Sequence, residues 1–345
     1  MPKWDVFLSF TGEDTAAIDA IDDVLSKGRG LRCWRYDQHL EGGTRTPEKV
    51  EAALADSSVL LVYLSPDSMS RDWVKSEAES AQSHRKPIIP ASGRHLADPL
   101  PEGWSVRLGA KERIALGEPP DKGRLAELAR SAWREVGRAE SPDVYVEIEQ
   151  LRKAADFDQR ISLTPNPLSL SAPGPQHQWD DPPGVPALGD FVIDVRVGVP
   201  PGTRGMGAGV EYVESTGARH VGFRVDGRGA AHLRDGPRDA DVVSRDCAGS
   251  LRGPGLYDLT CVRRGHEFRL LVNGRHIGTW HDPRVWFGLP RLVAYVGARA
   301  QFSDLRVTGR DVSGALRKAA AECDEKRPER ARGILEGLLA LPGRD

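Results

Sequence analysis

The chain has 345 residues, enough for two domains with cores of their own, and a formal net charge of −2 with 28% charged residues. That balance excludes a global field that would recruit nucleic acid or an anionic membrane. No apolar run approaches the roughly 18 residues needed to span a bilayer, and the chain enters a strand pattern at once, so neither a membrane span nor a signal peptide is expected. The four cysteines, Cys33, Cys247, Cys261 and Cys323, have no CxxC spacing. They fit a reducing, cytoplasmic setting with no metal site and no disulfide framework, a Cys247–Cys261 bridge being disfavoured on the same ground.

In chain order, Trp4–Phe10 reads as a buried strand, and Thr11-Gly12-Glu13-Asp14 as a turn with a capping residue. Ala16–Leu25 carries Ile18, Ile21, Val24 and Leu25 on one helical face. Leu31–Trp34 is a short strand, 36–46 a polar loop with Gly42-Gly43, and Pro47 opens a helix to about Asp56. Val59–Leu64 is a buried strand. A helix starting near Ser70 then places Trp73, Glu77 and Ala81 on one face at i, i+4 and i+8, flanked by Val74 and Ala78. Glu77 therefore points toward the apolar side, where a carboxylate must find a partner, shift its pKa or do chemistry. Lys86–Pro90 is a fourth strand and Leu125–Val136 a closing helix. Strands alternating with helices of this length predict βαβ units and a parallel sheet.

Asp5–Phe10, the Gly42-Gly43 loop, and Val59–Ser65 followed by Asp72-Trp73-Val74-Lys75-Ser76-Glu77 together resemble the TIR (Toll/interleukin-1 receptor) domain family over roughly residues 3–138. The resemblance is to its NAD-cleaving bacterial type and implies a flavodoxin-like α/β fold. It also implies nicotinamide release from NAD+, to ADP-ribose or a cyclised form, with Glu77 as the catalytic carboxylate. NAD+ is then substrate, and no cofactor is expected. Nicotinamide is already a cationic leaving group, so the carboxylate is needed to stabilise positive charge on the ribose. Phe10 and Trp34 are candidates for stacking the nicotinamide ring. Thr11 and Gly12 are candidate ligand contacts, and Arg35, Asp37 and Arg45 candidates for ribose or phosphate. Trp73 sits four residues before Glu77, as in those enzymes, and reads mainly as a wedge at the helix start. There is no GxGxxG and no Walker motif. The family's dependence on stacked TIR domains implies regulation by self-assembly.

Residues 141–188 read as a Pro-rich linker or docking segment, with Asp143–Ile148 alternating as a strand would. Residues 189–310 hold short alternating strands: Phe191–Val197, Val210–Val213, His220–Val225, Leu256–Arg263, Phe268–Val272, His276–Trp280, Leu292–Gly297 and Ala300–Val307. Asn273-Gly274 is the strongest hairpin signal. Tyr257–Val307 resembles the concanavalin A-like (laminin-G-like) jelly roll, an all-β sandwich. Glu211 and Glu214 are three apart, on opposite faces of a strand, and make no carboxylate pair. The sandwich is expected to bind an activator, a small molecule, glycan or protein, with Trp179, His232, Trp280, His281 and Trp286 as candidates for a ligand face. Residues 311–345 form a helical tail that Pro328 divides. The expectation is a cytoplasmic effector, TIR at 1–140, that hydrolyses NAD+ on ligand-induced assembly in antiphage defence. The alternatives are a non-enzymatic TIR scaffold and a glycan-binding protein acting through the sandwich.

Overall fold

The computed structural model describes residues 2–27, 31–39, 47–93, 100, 103–108, 112–173, 176–200, 203, 207–214, 219–228, 230–235, 240–246, 255–282, 287–325 and 327–339. The chain divides into two compact units, with the boundary at Pro142/Asp143.

The N-terminal unit is a five-stranded, all-parallel sheet in the order β2-β1-β3-β4-β5. Its strands are β1 (Trp4–Ser9), β2 (Cys33–Trp34), β3 (Ser57–Leu64), β4 (Ile88–Ser92) and β5 (Ile114–Ala115). All eight residues of β3 are buried. A parallel sheet is covered on both faces, so its central strand is a continuous apolar run. Alternation deals these residues to two cores. Val6, Leu8, Val59 and Leu61 pack with Ile18 and Ile21 of α1 (Thr15–Asp22) and with Leu128, Ala132 and Trp133 of α7 (Lys122–Glu140). Phe7, Leu60 and Val62 pack on the other side. There they meet Val50 and Leu54 of α3 (Pro47–Ala55), Val74 and Ala78 of α5 (Asp72–Ser83), and Trp104 of α6 (Trp104–Leu108). Two short helices lie at strand ends, α2 (Tyr36–His39) after β2 and α4 (Pro66–Ser70) after β3. The expected doubly wound α/β unit is the one observed. β5 and α6 were not anticipated. β5 has two residues, too few to show a period, and α6 five.

The second unit is antiparallel. Its strands are β6 (Phe157–Arg160), β7 (Leu168–Ser171), β8 (Gln178–Asp180), β9 (Leu188–Gly198), β10 (Ala208–Glu214), β11 (His220–Val225), β12 (Ala230–Asp235), β13 (Ala240–Asp246), β14 (Leu256–Arg264), β15 (Glu267–Val272), β16 (Arg275–His281), β17 (Gly288–Ala294) and β18 (Arg299–Asp311). The main path runs β13-β12-β11-β10-β17-β9-β14-β15-β16, with β18 on β9, β6 and β7, and β8 on β17. β13 and β16, at opposite ends of that path, pack together, so the sheet folds over on itself as a sandwich. Phe191, Tyr212, Phe223 and Phe268 form its aromatic centre. Arg263, 2% exposed, crosses this apolar centre. Its guanidinium lies 5.4 Å from the Tyr212 ring centroid and donates to the Gly189 carbonyl at 2.8 Å, satisfying a charge that apolar packing alone would not tolerate. Asn273 and Gly274 both have positive φ, 50° and 85°, as a type I′ hairpin turn requires.

The second unit also departs from the sequence reading, most clearly at its start. Asp143–Ile148 is not a strand but part of α8 (Pro142–Ala154). Pro142 occupies the first helical position, and Tyr145 and Ile148 pack at i, i+3 on Val192, Val262 and Leu271. The alternation of Val144, Val146 and Ile148 imitates a strand, but Val146 is 54% exposed. Arg152 pairs with Asp194 at 2.6 Å, and Glu147 pairs with Arg269. The Pro-rich stretch that follows supplies strands β6 to β8, its prolines lying outside them. The tail forms α9 (Ser313–Asp324) and α10 (Pro328–Leu339), packed on each other and separated just before Pro328.

Among the described residues no helix is long and apolar enough to cross a membrane. Cys33 and Cys261 are buried free thiols, Cys323 is an exposed one, and Cys247 lies outside the described residues. Leu61→Ala in β3 is expected to cost about 2–5 kcal/mol of stability through lost burial and a residual cavity, read as a lower urea midpoint for the N-terminal unit. Val106→Ala, at a residue 77% exposed, should change it by no more than about 0.5 kcal/mol.

Candidate functional site

In a doubly wound sheet the ligand crevice opens at the carboxyl ends of the strands, where the strand order reverses. Here that point lies between β1 and β3. Ser9, the last residue of β1, is in register with Val62, and β3 continues to Leu64 before Ser65 starts the turn into α4. Ser65 caps α4 by a reciprocal bond with Ser68. Arg71 is extended and breaks the helix, and α5 begins at Asp72.

On α5, Val74, Glu77, Ala78 and Ala81 are buried, at i, i+3, i+4 and i+7. Glu77 is only 5% exposed. The Ser9 hydroxyl, fully buried, donates to its Oε2 at 2.5 Å. A carboxylate on the core side of α5 is thus held against the carboxyl end of β1. A hydrogen bond to a charged acceptor is worth roughly 1.5–3 kcal/mol and fixes the rotamer of the group that accepts it.

Further bonds tie the β1 and β3 ends together. Asp14 Oδ2 accepts from Thr11 Oγ1 at 2.7 Å and from Ser65 Oγ at 2.9 Å. Arg71 Nη2 meets Glu13 Oε1 at 3.3 Å. Backbone and Thr11 bonds to the Glu13 carboxylate, with Arg71 adding to them, hold its pKa below the ordinary value. The crevice is therefore bordered by carboxylates from two elements and hydroxyls from three.

The other residues picked out by the sequence are distributed differently. Thr11 is buried and Gly12 exposed at the head of the turn, where a Cβ on Gly12 would come into ordinary contact with Tyr36 Oη at 3.8 Å. Phe10 is fully buried, 4.7 Å from the Tyr36 ring and 5.6 Å from the Arg35 guanidinium. Trp34, 4% exposed, stacks on Phe7 at 4.5 Å. Neither ring offers a free face to nicotinamide in this structure. Arg35 is 2% exposed and bonds Asp19 at 2.8 Å, Asp22 at 3.3 Å and Asp37 at 2.6 Å. Burial opposes its charge, yet the bonds to Asp37 and Asp19 outweigh that and raise its pKa. Arg35 and Asp37 are thus engaged with each other, not held open for phosphate. Trp73 is 41% exposed, its ring 5.3 Å from the Arg71 guanidinium. It does not share the buried face with Glu77, because α5 starts only one residue before it and the core covers the helix from Val74 onward. Arg45 and Gly42-Gly43 lie outside the described residues.

Sequence reasoning missed Ser9, Asp14 and Ser65. The signal for Ser9 was its place as a polar residue ending an apolar strand. Nothing local to Asp14 or Ser65 shows that they meet, since they are 51 residues apart. Among the described residues no group of three His, Cys, Asp or Glu is placed to hold a metal.

Residues 6–128 match the family model described as TIR domain. No curated protein matches the chain. Solved structures similar to it include carbohydrate binding module CBM66 from Bacillus subtilis, at 13% identity and a TM-score of 0.33, covering 44% of this chain and 96% of that one. A protein of unknown function with a galectin-like fold, also from Bacillus subtilis, matches at 13% identity and a TM-score of 0.33, covering 46% and 94%. A metazoan TIR-STING receptor from C. gigas matches at 19% identity and a TM-score of 0.32, covering 45% of this chain. The chain spans 50% of that receptor's length. The parallel sheet and its strand order lie within this match, which shows that the N-terminal unit carries a TIR domain at residues 6–128.

Proposed function

We propose that the TIR unit hydrolyses NAD+, releasing nicotinamide, with Glu77 as the catalytic carboxylate. The observation that carries the reading is the buried Ser9–Glu77 pair at the β1/β3 crevice. A carboxylate kept in such a place, on a fold that takes ligands there, is the kind of exception that function explains.

The chemistry asks little of the protein beyond electrostatics and positioning. The bond between ribose C1′ and the pyridinium nitrogen breaks, its electron pair stays on nicotinamide, and nicotinamide leaves neutral without an acid. Positive charge spreads over C1′ and the ring oxygen. A carboxylate beside the ribose hydroxyls stabilises that charge, most strongly where water is excluded. Water then attacks C1′ and gives its proton to solvent, yielding ADP-ribose. Attack by a group of the substrate itself would give a cyclic product from the same intermediate.

The single chain keeps Glu77 closed to a nucleotide, at 5% exposure. Self-assembly of TIR units is the proposed step that opens the crevice and supplies what one chain lacks. The sandwich is the proposed sensor that triggers it.

Concentrated full-length protein is expected to release nicotinamide from NAD+, and Glu77→Gln to lower turnover by at least about 10²-fold, the scale seen when an electrostatic stabiliser of a transition state is removed. Turnover unchanged in Glu77→Gln would refute the assignment. Ser9→Ala is expected to lower kcat by about tenfold, one hydrogen bond to a charged group, with KM little altered. A KM effect with kcat intact would place Ser9 in substrate binding instead.

A further inference from the structure

Helix α5 is not joined to β3 directly. The short α4 and the extended Arg71 stand between them, so the place of α4 sets where α5 starts and which way Glu77 turns. Two consecutive carboxylates of the β1 loop hold the two ends of this joint. Asp14 Oδ2 accepts from Ser65 Oγ, the cap at the start of α4, at 2.9 Å. Glu13 Oε1 meets Arg71 Nη2, at the break between α4 and α5, at 3.3 Å. Between these ends, the Met69 carbonyl accepts from Trp104 Nε1 at 3.3 Å.

The two grips differ in strength. The Arg71 and Glu13 side chains are 42% and 54% exposed, and an ion pair so open to water contributes little. The Asp14 bond is part-buried and its acceptor is a carboxylate, which puts it in the stronger class. Ser65 is oriented for it. Its oxygen accepts from the Ser68 amide at 3.0 Å, which turns the hydroxyl hydrogen outward to Asp14. Asp14 also gives up a local role to receive it. It stands at the head of α1, where a carboxylate ordinarily accepts from the first amides of the helix, and its side chain makes no such bond. Its Oδ2 instead collects the hydroxyls of Thr11, at 2.7 Å, and of Ser65, 51 residues away. A residue that forgoes the nearby bond for the distant one breaks a local rule, which is where function is to be sought.

We propose that Asp14 is a positioning residue for Glu77. Through Ser65 it fixes the start of α4, and through α4 the phase of α5, so that Glu77 stands against the carboxyl end of β1, where Ser9 donates to it. Glu13 adds a weaker grip at Arg71. The role needs an acceptor oxygen at the reach of Asp14 and does not need a negative charge. Its consequence for catalysis rests on the NAD+ reading above, whereas the clamp on α4 does not.

Asp14→Ser and Asp14→Asn separate reach from charge. Serine keeps a capping oxygen for α1 but stops one bond short of Ser65, and asparagine keeps both the reach and an acceptor oxygen. Hydrogen–deuterium exchange on the full chain should rise about tenfold over residues 64–77 in Asp14→Ser and stay within about threefold of the unsubstituted protein in Asp14→Asn, with residues 128–136 of α7 unchanged in both. In nicotinamide release, Asp14→Ser should lower kcat about tenfold with KM little altered, and Asp14→Asn should recover most of that loss. Exchange that does not rise over 64–77 in Asp14→Ser, or rises equally over α7, would overturn the clamp. Exchange that rises while kcat holds, or a kcat loss as deep in Asp14→Asn as in Asp14→Ser, would overturn the positioning role. An unsubstituted chain that leaves NAD+ intact would refute the NAD+ reading instead, and exchange alone then decides the clamp.

Discussion

The N-terminal unit turns on one constraint, that a carboxylate on the core side of a helix must be held by a partner. Glu77 is 5% exposed and takes a hydrogen from Ser9. That bond needs β1 to end at Ser9, β3 to run two residues beyond its register, and α5 to start late enough to turn Glu77 inward. The sheet order, the α4–α5 break at Arg71 and the phase of α5 are therefore conditions of one contact. Each is met by ordinary means: an apolar parallel strand, a serine cap, and an extended residue that stops a helix.

The hydrogen bonds around this pair tie the loops after β1 and β3 together. Asp14 joins the β1 loop to the β3 loop through two hydroxyls, and Arg71 pairs with Glu13 across the same gap. A reaction whose main demand is stabilisation of charge gains from such preorganisation, since fixed dipoles and charges need not rearrange as charge develops.

What the sequence revealed depended on whether a feature repeats along the chain. The phase of α5 and the apolar run of β3 are periodic, so the burial of Glu77 on the inner face of α5 was readable. The doubly wound sheet was readable for the same reason, as were the hairpin at Asn273-Gly274 and the break at Pro328. Contacts between distant loops have no period, so Asp14 and Ser65 were invisible. Trp73 followed the helical phase of Glu77 but lies in the first turn, where cover had not begun. Phe10 and Trp34 stood at strand ends, which suggested a ligand edge, but their rings turn into the two cores. β12 was missed because Ala-Ala-His-Leu-Arg-Asp contains one large apolar residue, and its outward Arg234 is buried by tertiary packing that no local pattern encodes. α8 was misread because Val144, Val146 and Ile148 alternate by accident.

The two units share this trait of charged groups kept where apolar ones are the rule. In the TIR unit it is Glu77, and in the sandwich Arg224, Arg234 and Arg263. Arg263 donates to a carbonyl and a phenol of the sandwich's own core and reads as architecture. Glu77 lies beside the carboxyl end of β1, where the proposed reaction would use it. The most direct measurement is a crystal structure of the assembled Glu77→Gln protein with intact NAD+. The account predicts the nicotinamide ribose at the carboxyl ends of β1 and β3, with its hydroxyls against residue 77. A nucleotide bound elsewhere on the chain, with residue 77 out of reach of the ribose, would contradict it.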